Sequence, residues 1–258
     1  MSNFLYVPKC LANAGLPQSA FGGGVWSRQA GDFRLLVIAG KDSRIPCGSY
    51  ARLFFMWLVT QVILLKKQSI KTNDSLHSIL KSLGLNTDGK TRRRFKDQAA
   101  RFLSCSMSMF RLSAGATDAV HQICSAFDLQ WNHRLPDNPS FFDSTFLISD
   151  AFFDHIMASS FPVKKEAVIA MRQSPFCLDI YPWLSHRMSY NRQDTRISFD
   201  SLENQFGSAF NRPADFKRSF RHHLQTVSAH YPEALTSFYP TGLILHPSPT
   251  AVPRMAPQ

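Results

Sequence analysis

The sequence has no C-x-x-C pair, and its cysteines (Cys10, Cys47, Cys105, Cys124 and Cys177) are odd in number and far apart. A disulfide framework and a zinc knuckle are thereby excluded, and reduced thiols in a cytosolic protein fit best. Long apolar runs are missing too. The longest uncharged one, LFFMWLVTQVILL at 53–65, falls short of the roughly 20 residues a membrane-spanning helix needs. It predicts a buried helix, and no membrane partner is expected. The opening residues, MSNFLYVPKC, lack the apolar stretch of a signal peptide. Carboxylates are scarce: 18 Asp and Glu stand against 29 Lys and Arg, a formal charge of +11. That imbalance favours a polyanionic partner, nucleic acid or an acidic membrane surface.

What the chain does have is apolar bulk, 44% of its residues with 22 Phe. This is enough to bury a substantial core, so disorder is not the default. Both ends read as loose. GLPQ and FGGG near the start are loop material, and HPSPTAVPRMAPQ at the end carries four prolines.

The interior is written twice. Trp57-Leu58 recurs as Trp183-Leu184, and Asp74-Ser75-Leu76 as Asp200-Ser201-Leu202, both 126 residues later. Phe95 and Phe102 match Phe220 and Val227 at an offset of 125. Each copy runs through an apolar helix with the Trp-Leu, a β-prone piece (SIKT, RISF), a small helix, a basic amphipathic helix, and strand-like material (CSMSMFRL, TSFYPTGLILH). That is the element order of a winged helix. The expected fold is therefore α+β with two tandem winged helices. An N-terminal extension would occupy 1–30, a first winged helix for dimerisation or DNA contact 31–159, a second for specific DNA binding 160–250, and a flexible tail 251–258.

Residues 84–91, GLNTDGKT, match the phosphate-cradling pattern G-x-x-x-x-G-K-[ST]. Such a loop needs a strand before its first glycine. Here Leu76, Ile79, Leu80 and Leu83 precede it at i, i+3, i+4 and i+7, which is helical spacing. Gly84 then reads as a C-cap glycine, and Thr87 or Asp88 as the cap of the next helix.

On a helix over 91–103, Phe95, Ala99 and Phe102 share an inward face while Arg93, Lys96 and Asp97 point outward. In the second copy Phe216, Phe220, Leu224 and Val227 form the stripe. Asn211, Asp215, Arg218, Arg221, His222 and Gln225 line the outside, and Pro213 suits the first turn. The outward sets correspond, Arg93 with Arg218 and Lys96 with Arg221. Arginine suits guanine, Asn and Gln suit adenine, and flanking cations hold phosphates. Double-stranded DNA is the expected partner, contacted by Lys90, Arg92, Arg93, Arg94 and Lys96 in the first copy. In the second copy the contacts expected are Asn211, Arg212, Lys217, Arg218, Arg221, His222 and Gln225. Two such helices would read successive major grooves.

The stretches SPFCLDIYPWLSHRMSY, ISFDSLENQFG and DFKRSFRHHLQTVSAHYP, around residues 175–231, resemble the C-terminal signature of plasmid-encoded RepA-type replication initiators. GLP near residue 15, IPCGSYARLFFMWL at 45–58 and SLGLNTDGKTRRRFKDQAARF at 82–102 extend the resemblance over roughly residues 4–248. One departure is the turn NTDGK, which is less glycine-rich than the family pattern. The resemblance implies a bacterial cytoplasmic initiator that binds repeated sites in a plasmid origin, helps open the duplex and recruits the host initiator and helicase. It also implies a monomer–dimer equilibrium and repression of its own gene. By the same analogy the C-terminal unit supplies much of the specific contact, with Arg218, Arg221 and His222 as specificity candidates. A repressor without initiator activity is the alternative within the same class.

Catalysis is not expected, nor a metal or cofactor. His222 and His223 are adjacent, which does not supply a His-hydrophobic-His metal pair, and G-x-S-x-G is absent. Asp143, Asp150 and Asp154 raise the alternative of a metal-dependent nuclease, with Asp150 and Asp154 on one helical face, but a helix start attracts carboxylates anyway through its dipole. Cys177 sits in an apolar helix and reads as buried. Against the alternative of a P-loop enzyme, the wild-type protein and Lys90→Ala should both show no saturable ATP binding by calorimetry. Micromolar binding lost in Lys90→Ala would restore the phosphate-cradle reading.

Overall fold

A computed structural model describes residues 2–41, 43–72, 75–111, 121–128, 144–207 and 209–253. The chain opens with β1 (Phe4–Pro8), α1 (Lys9–Asn13) and the hairpin β2 (Val25–Ala30) and β3 (Phe33–Ile38). There follow α2 (Gly48–Leu65), β4 (Ser69–Thr72), α3 (Leu76–Ser82), α4 (Gly89–Ser104), β5 (Ser106–Arg111), β6 (His121–Gln122), β7 (Cys124–Asp128) and β8 (Ser144–Ile148). After α5 (Asp150–Ser159), β9 (Ser160–Lys164) and α6 (Lys165–Ala170) come α7 (Pro175–Met188) and β10 (Thr195–Ser198). The described chain closes with α8 (Phe199–Phe206), α9 (Pro213–His230), β11 (Thr236–Tyr239) and β12 (Gly242–Leu245). It is an α+β fold with small antiparallel sheets.

The run at 53–65 is part of α2. Residues 51–60 and Val62 are buried, because the helix is apolar on every side and packs against β1, α4, α5 and α7. By length and composition α2 could cross a bilayer, but most of it lies inside the protein's own core. It ends at Lys66, which adopts φ 52.

The two matched stretches share an order of elements. After α2 come β4, α3, α4 and the strands β7 and β8; after α7 come β10, α8, α9 and the strands β11 and β12. The sheet orders agree, β4-β8-β7 and β10-β12-β11. Trp57 and Trp183, Phe95 and Phe220, Phe102 and Val227 are all buried at their matched positions. Two expectations need correction. Within CSMSMFRL, Ser106–Arg111 form the strand β5, but it pairs with β3 and β6 in a separate sheet, β2-β3-β5-β6, so the counterpart of β11–β12 is β7–β8. The matched serines also differ in role. Ser75 caps α3 by accepting from the Ser78 N–H, whereas Ser201 lies inside α8 and its N–H bonds the true cap, Ser198.

Nor are the ends loose where described. β1 pairs with β9 from Phe4↔Lys164 to Pro8↔Ser160, α1 packs on α7, and β2 packs on α8. At the other end Tyr231 donates its hydroxyl to Pro249 O (2.5 Å), and Ala251 is buried. Residues 254–258 lie outside the described residues. One cluster of buried apolar side chains runs from Leu5 to Ala251 through both copies.

At the centre of that cluster is an ion pair. Arg52 of α2 and Asp179 of α7 meet side by side, Nε–Oδ1 and Nη2–Oδ2 both at 2.6 Å. The other guanidinium hydrogens go to the carbonyls of Leu16 (2.5 Å), Pro17 (3.1 Å) and Gly48 (2.9 Å), so all five N–H groups are satisfied. Gly15 is required by this packing, since a Cβ there would sit 2.7 Å from Asp179 Oδ2. Arg52→Ala and Asp179→Ala should each destabilise by about 3–5 kcal/mol, because each leaves a buried charge unpaired. In urea denaturation the double variant should cost clearly less than the sum of the two; strict additivity would show the groups do not depend on one another.

Candidate nucleic-acid interface

The turn into α4 is built by two caps. α3 ends in a Schellman arrangement: Gly84 takes φ 67, its N–H bonds Lys81 O (3.1 Å), and the Leu85 N–H bonds Leu80 O (2.9 Å). A Cβ on Gly84 would also lie 2.5 Å from Ile169 Cγ2. Asp88 then caps α4, accepting from the Thr91 N–H and hydroxyl, both at 2.9 Å. These hydrogen bonds hold the Asp88 carboxyl below its usual pKa. Thus GLNTDGKT follows a helix, not a strand, and a carboxylate occupies the amides that a phosphate cradle would offer. Of the two caps the spacing allowed, Asp88 is the one used.

Along α4, Phe95, Ala99 and Phe102 are buried, with Phe95 and Phe102 edge-on to Phe54 of α2. Lys90, Arg93 and Arg94 are exposed; Arg92 and Lys96 are half-buried. Arg92 reaches His77 Nδ1 of α3 (3.4 Å). Burial, with Arg92 close by, lowers the Lys96 pKa. The face is not wholly cationic, because Asp97 pairs with Arg101 at 2.9 Å. Gln98 turns inward to accept the Cys47 N–H at the start of α2 (2.8 Å).

α9 begins at Pro213, whose missing N–H costs nothing in a first turn. Phe216 and Phe220 nest with Phe176 of α7 and, with Leu224 and Val227, bury one side. The outer residues fall into two groups. Asp215 holds Arg212 Nε (2.7 Å) and Arg218 Nη2 (3.0 Å), although those side chains remain 76% and 82% exposed. Arg221 and Lys217 instead lie over aromatic rings, Arg221 at 4.6 Å from Phe238 and 5.3 Å from Phe199, Lys217 at 5.5 Å from Phe199. Asn211, His222 and Gln225 are exposed. His223 turns the other way, its Nδ1 2.8 Å from Ser219 O and its ring against Phe176.

The C-terminal end of α8, where the turn to α9 starts, is tied to the N-terminal residues. Arg28 donates to Gln205 O (2.5 Å) and Gln18 to Phe206 O (3.3 Å), satisfying carbonyls that a helix end leaves open. In return Gln205 donates to Asn13 O (2.8 Å). Burial pulls the Arg28 pKa down to about 10, which leaves it a cation at neutral pH. Helical periodicity gave no sign of these ties, nor of the Phe199–Phe238 platform, because each joins residues distant in sequence.

Other candidates lead elsewhere. Asp150 accepts from Gln68 (2.8 Å) in the first turn of α5, and Asp143 lies outside the described residues. Among the described residues no three His, Cys, Asp or Glu are grouped to hold a metal. Cys177 is buried and its thiol pKa raised, so it is held protonated.

The profile of the family described as plasmid-encoded RepA protein matches residues 45–201 of this chain, more than half its length. No curated protein matches it significantly. Among solved structures, the chain is similar to a selenomethionine crystal structure of domains 2 and 3 of RctB, with a TM-score of 0.62 at 10% identity, covering 95% of this chain and 97% of that one. A second crystal structure of RctB domains 2–3 gives 0.53 at 11% identity, covering 84% and 81%.

Asp215 offsets a charge between two exposed arginines; if α9 meets duplex DNA, Asp215→Asn should tighten binding to random-sequence duplex and steepen its salt dependence by about one in slope. The cost to folding should stay within about 1 kcal/mol, the loss of an acidic group from a first helical turn. Fluorescence titration over a salt series checks this; unchanged binding would show that α9 does not face the duplex.

Proposed function

Because the chain belongs to the family of plasmid-encoded RepA proteins, we propose that it is a replication initiator that binds repeated origin sites as duplex DNA through α4 and α9. The observation that carries this reading is the matched placement of the two basic helices. Each is the last helix of a helix–strand–helix–helix unit closed by a three-stranded sheet of the same order, as in a winged helix. In such a unit the helix after the turn enters the major groove. The exposed cations Lys90, Arg93 and Arg94 on α4, and Arg212 and Arg218 on α9, would set register on phosphates and read base edges. Arg92, Lys96, Lys217 and Arg221 are more engaged with the protein itself and would contribute charge near the groove walls. Opening of the origin, recruitment of the host initiator and helicase, a monomer–dimer equilibrium and repression of its own gene in the bacterial cytoplasm belong to the same proposal.

Footprinting on DNA flanking the gene should show tandem protected repeats beside an origin, each extending over about two helical turns. A single palindrome over a promoter would favour a repressor instead. Affinity should fall by about 10³-fold or more between 50 and 200 mM salt if six or more phosphates are neutralised. A flat salt response would remove the basic helices from the interface.

A further inference from the structure

Arg221 differs from the other outward residues of α9. Its guanidinium lies 4.6 Å from the ring of Phe238 on β11 and 5.3 Å from that of Phe199, the first residue of α8. Those two rings are nearly parallel, 14° apart with centroids 6.1 Å from each other. Phe199 is buried, while Phe238 is 39% exposed on the hairpin. The Phe199 N–H also bonds Thr241 O in the β11–β12 turn (2.9 Å). Three elements therefore meet at one cation: the helix, the hairpin and the start of α8.

Resting on the DNA-binding reading above, we infer that Arg221 fastens the β11–β12 hairpin to α9 and contacts the DNA backbone, and that it does not read bases. Arg221 is exposed, and a guanidinium held near aromatic rings through its charge can still turn N–H groups outward, where a pair of them takes a phosphate oxygen pair. Among the described residues no carboxylate pairs with it, whereas Arg212 and Arg218 share Asp215. Reading guanine requires the side chain to extend from the helix axis to the groove floor. Arg221 is drawn sideways to the hairpin, where a groove wall would run, and Lys217 over Phe199 adds a second cation there. At the corresponding positions of the first copy the sequence has Asn73, 126 before Phe199, and Lys96, 125 before Arg221. Aromatic platforms of this kind stiffen an arginine before binding, which lowers the entropy lost on contact.

The test uses the full-length chain with Arg221→Ala, Arg221→Lys, Phe238→Leu and, as a contrast, Arg218→Ala. Two readouts are taken: amide hydrogen exchange of the hairpin in the free protein, and binding to the footprinted site and to random duplex over a salt series. Arg221→Ala should speed hairpin exchange, weaken both DNAs by a similar factor of about ten, and lower the salt slope by about one. Arg221→Lys and Phe238→Leu should also speed exchange while leaving the salt slope intact. Arg218→Ala should leave exchange unchanged and lose affinity chiefly on the footprinted site. Unchanged exchange in Arg221→Ala overturns the fastening role. A loss confined to the footprinted site overturns the backbone role and makes Arg221 a base reader. If the wild type binds no duplex, the DNA reading fails with the backbone role, and hairpin exchange alone still decides the fastening.

Discussion

The fold depends on one buried charge pair. Arg52 and Asp179 are both within the core, where an unpaired ion costs several kcal/mol, so neither helix is stable in its place without the other. The constraint reaches further than α2 and α7, because the guanidinium also binds the carbonyls of Leu16 and Pro17. Those residues must approach closely, and Gly15 is what permits it. Three separated stretches, GLP, IPCGSYARLFFMWL and SPFCLDIYPWL, thus converge on one interaction. Two of the three, IPCGSYARLFFMWL and SPFCLDIYPWL, lie within residues 45–201, the part matched by the family profile.

A shared core has a consequence for the basic helices. Arg28, Gln18 and Gln205 bond the end of α8 to the N-terminal residues, and those residues are themselves anchored on Arg52. The turn before α9 is consequently set by contacts from the first thirty residues of the chain. If α9 enters a DNA groove as proposed, fixing its orientation in advance lowers the entropy lost on binding. Here the fixation comes from buried polar contacts, leaving the outer face of α9 to charge and stacking.

The candidate interface was largely legible as a pattern. Spacing placed Phe95 and Phe220 inward and Arg93 and Arg218 outward, because a helix's two faces follow directly from its 3.6-residue period. Gly84 was legible for the same local reason, a helix followed by a residue that tolerates positive φ. What each cation does with its charge was not legible. Arg218 leans on Asp215, three residues away, but Arg221 leans on Phe238, seventeen residues on and in a strand. Periodicity has no access to a contact of that kind.

The sequence by itself determined the α+β class, the buried Trp and Phe stripes and the basic faces, since all of these are local or periodic. Tertiary structure alone decided that CSMSMFRL joins β3 and not the hairpin position, since strand partners are chosen by what the whole core brings alongside. It alone turned a loose-looking N-terminus into β1 paired with β9 and β2 packed on α8. For GLNTDGKT, already legible as a helix joint, the structure chose between the two possible caps, Asp88 and not Thr87. The octet fits a phosphate cradle by letter, but the preceding turn of helix, the left-handed glycine and the Asp88 cap make it a joint between two helices.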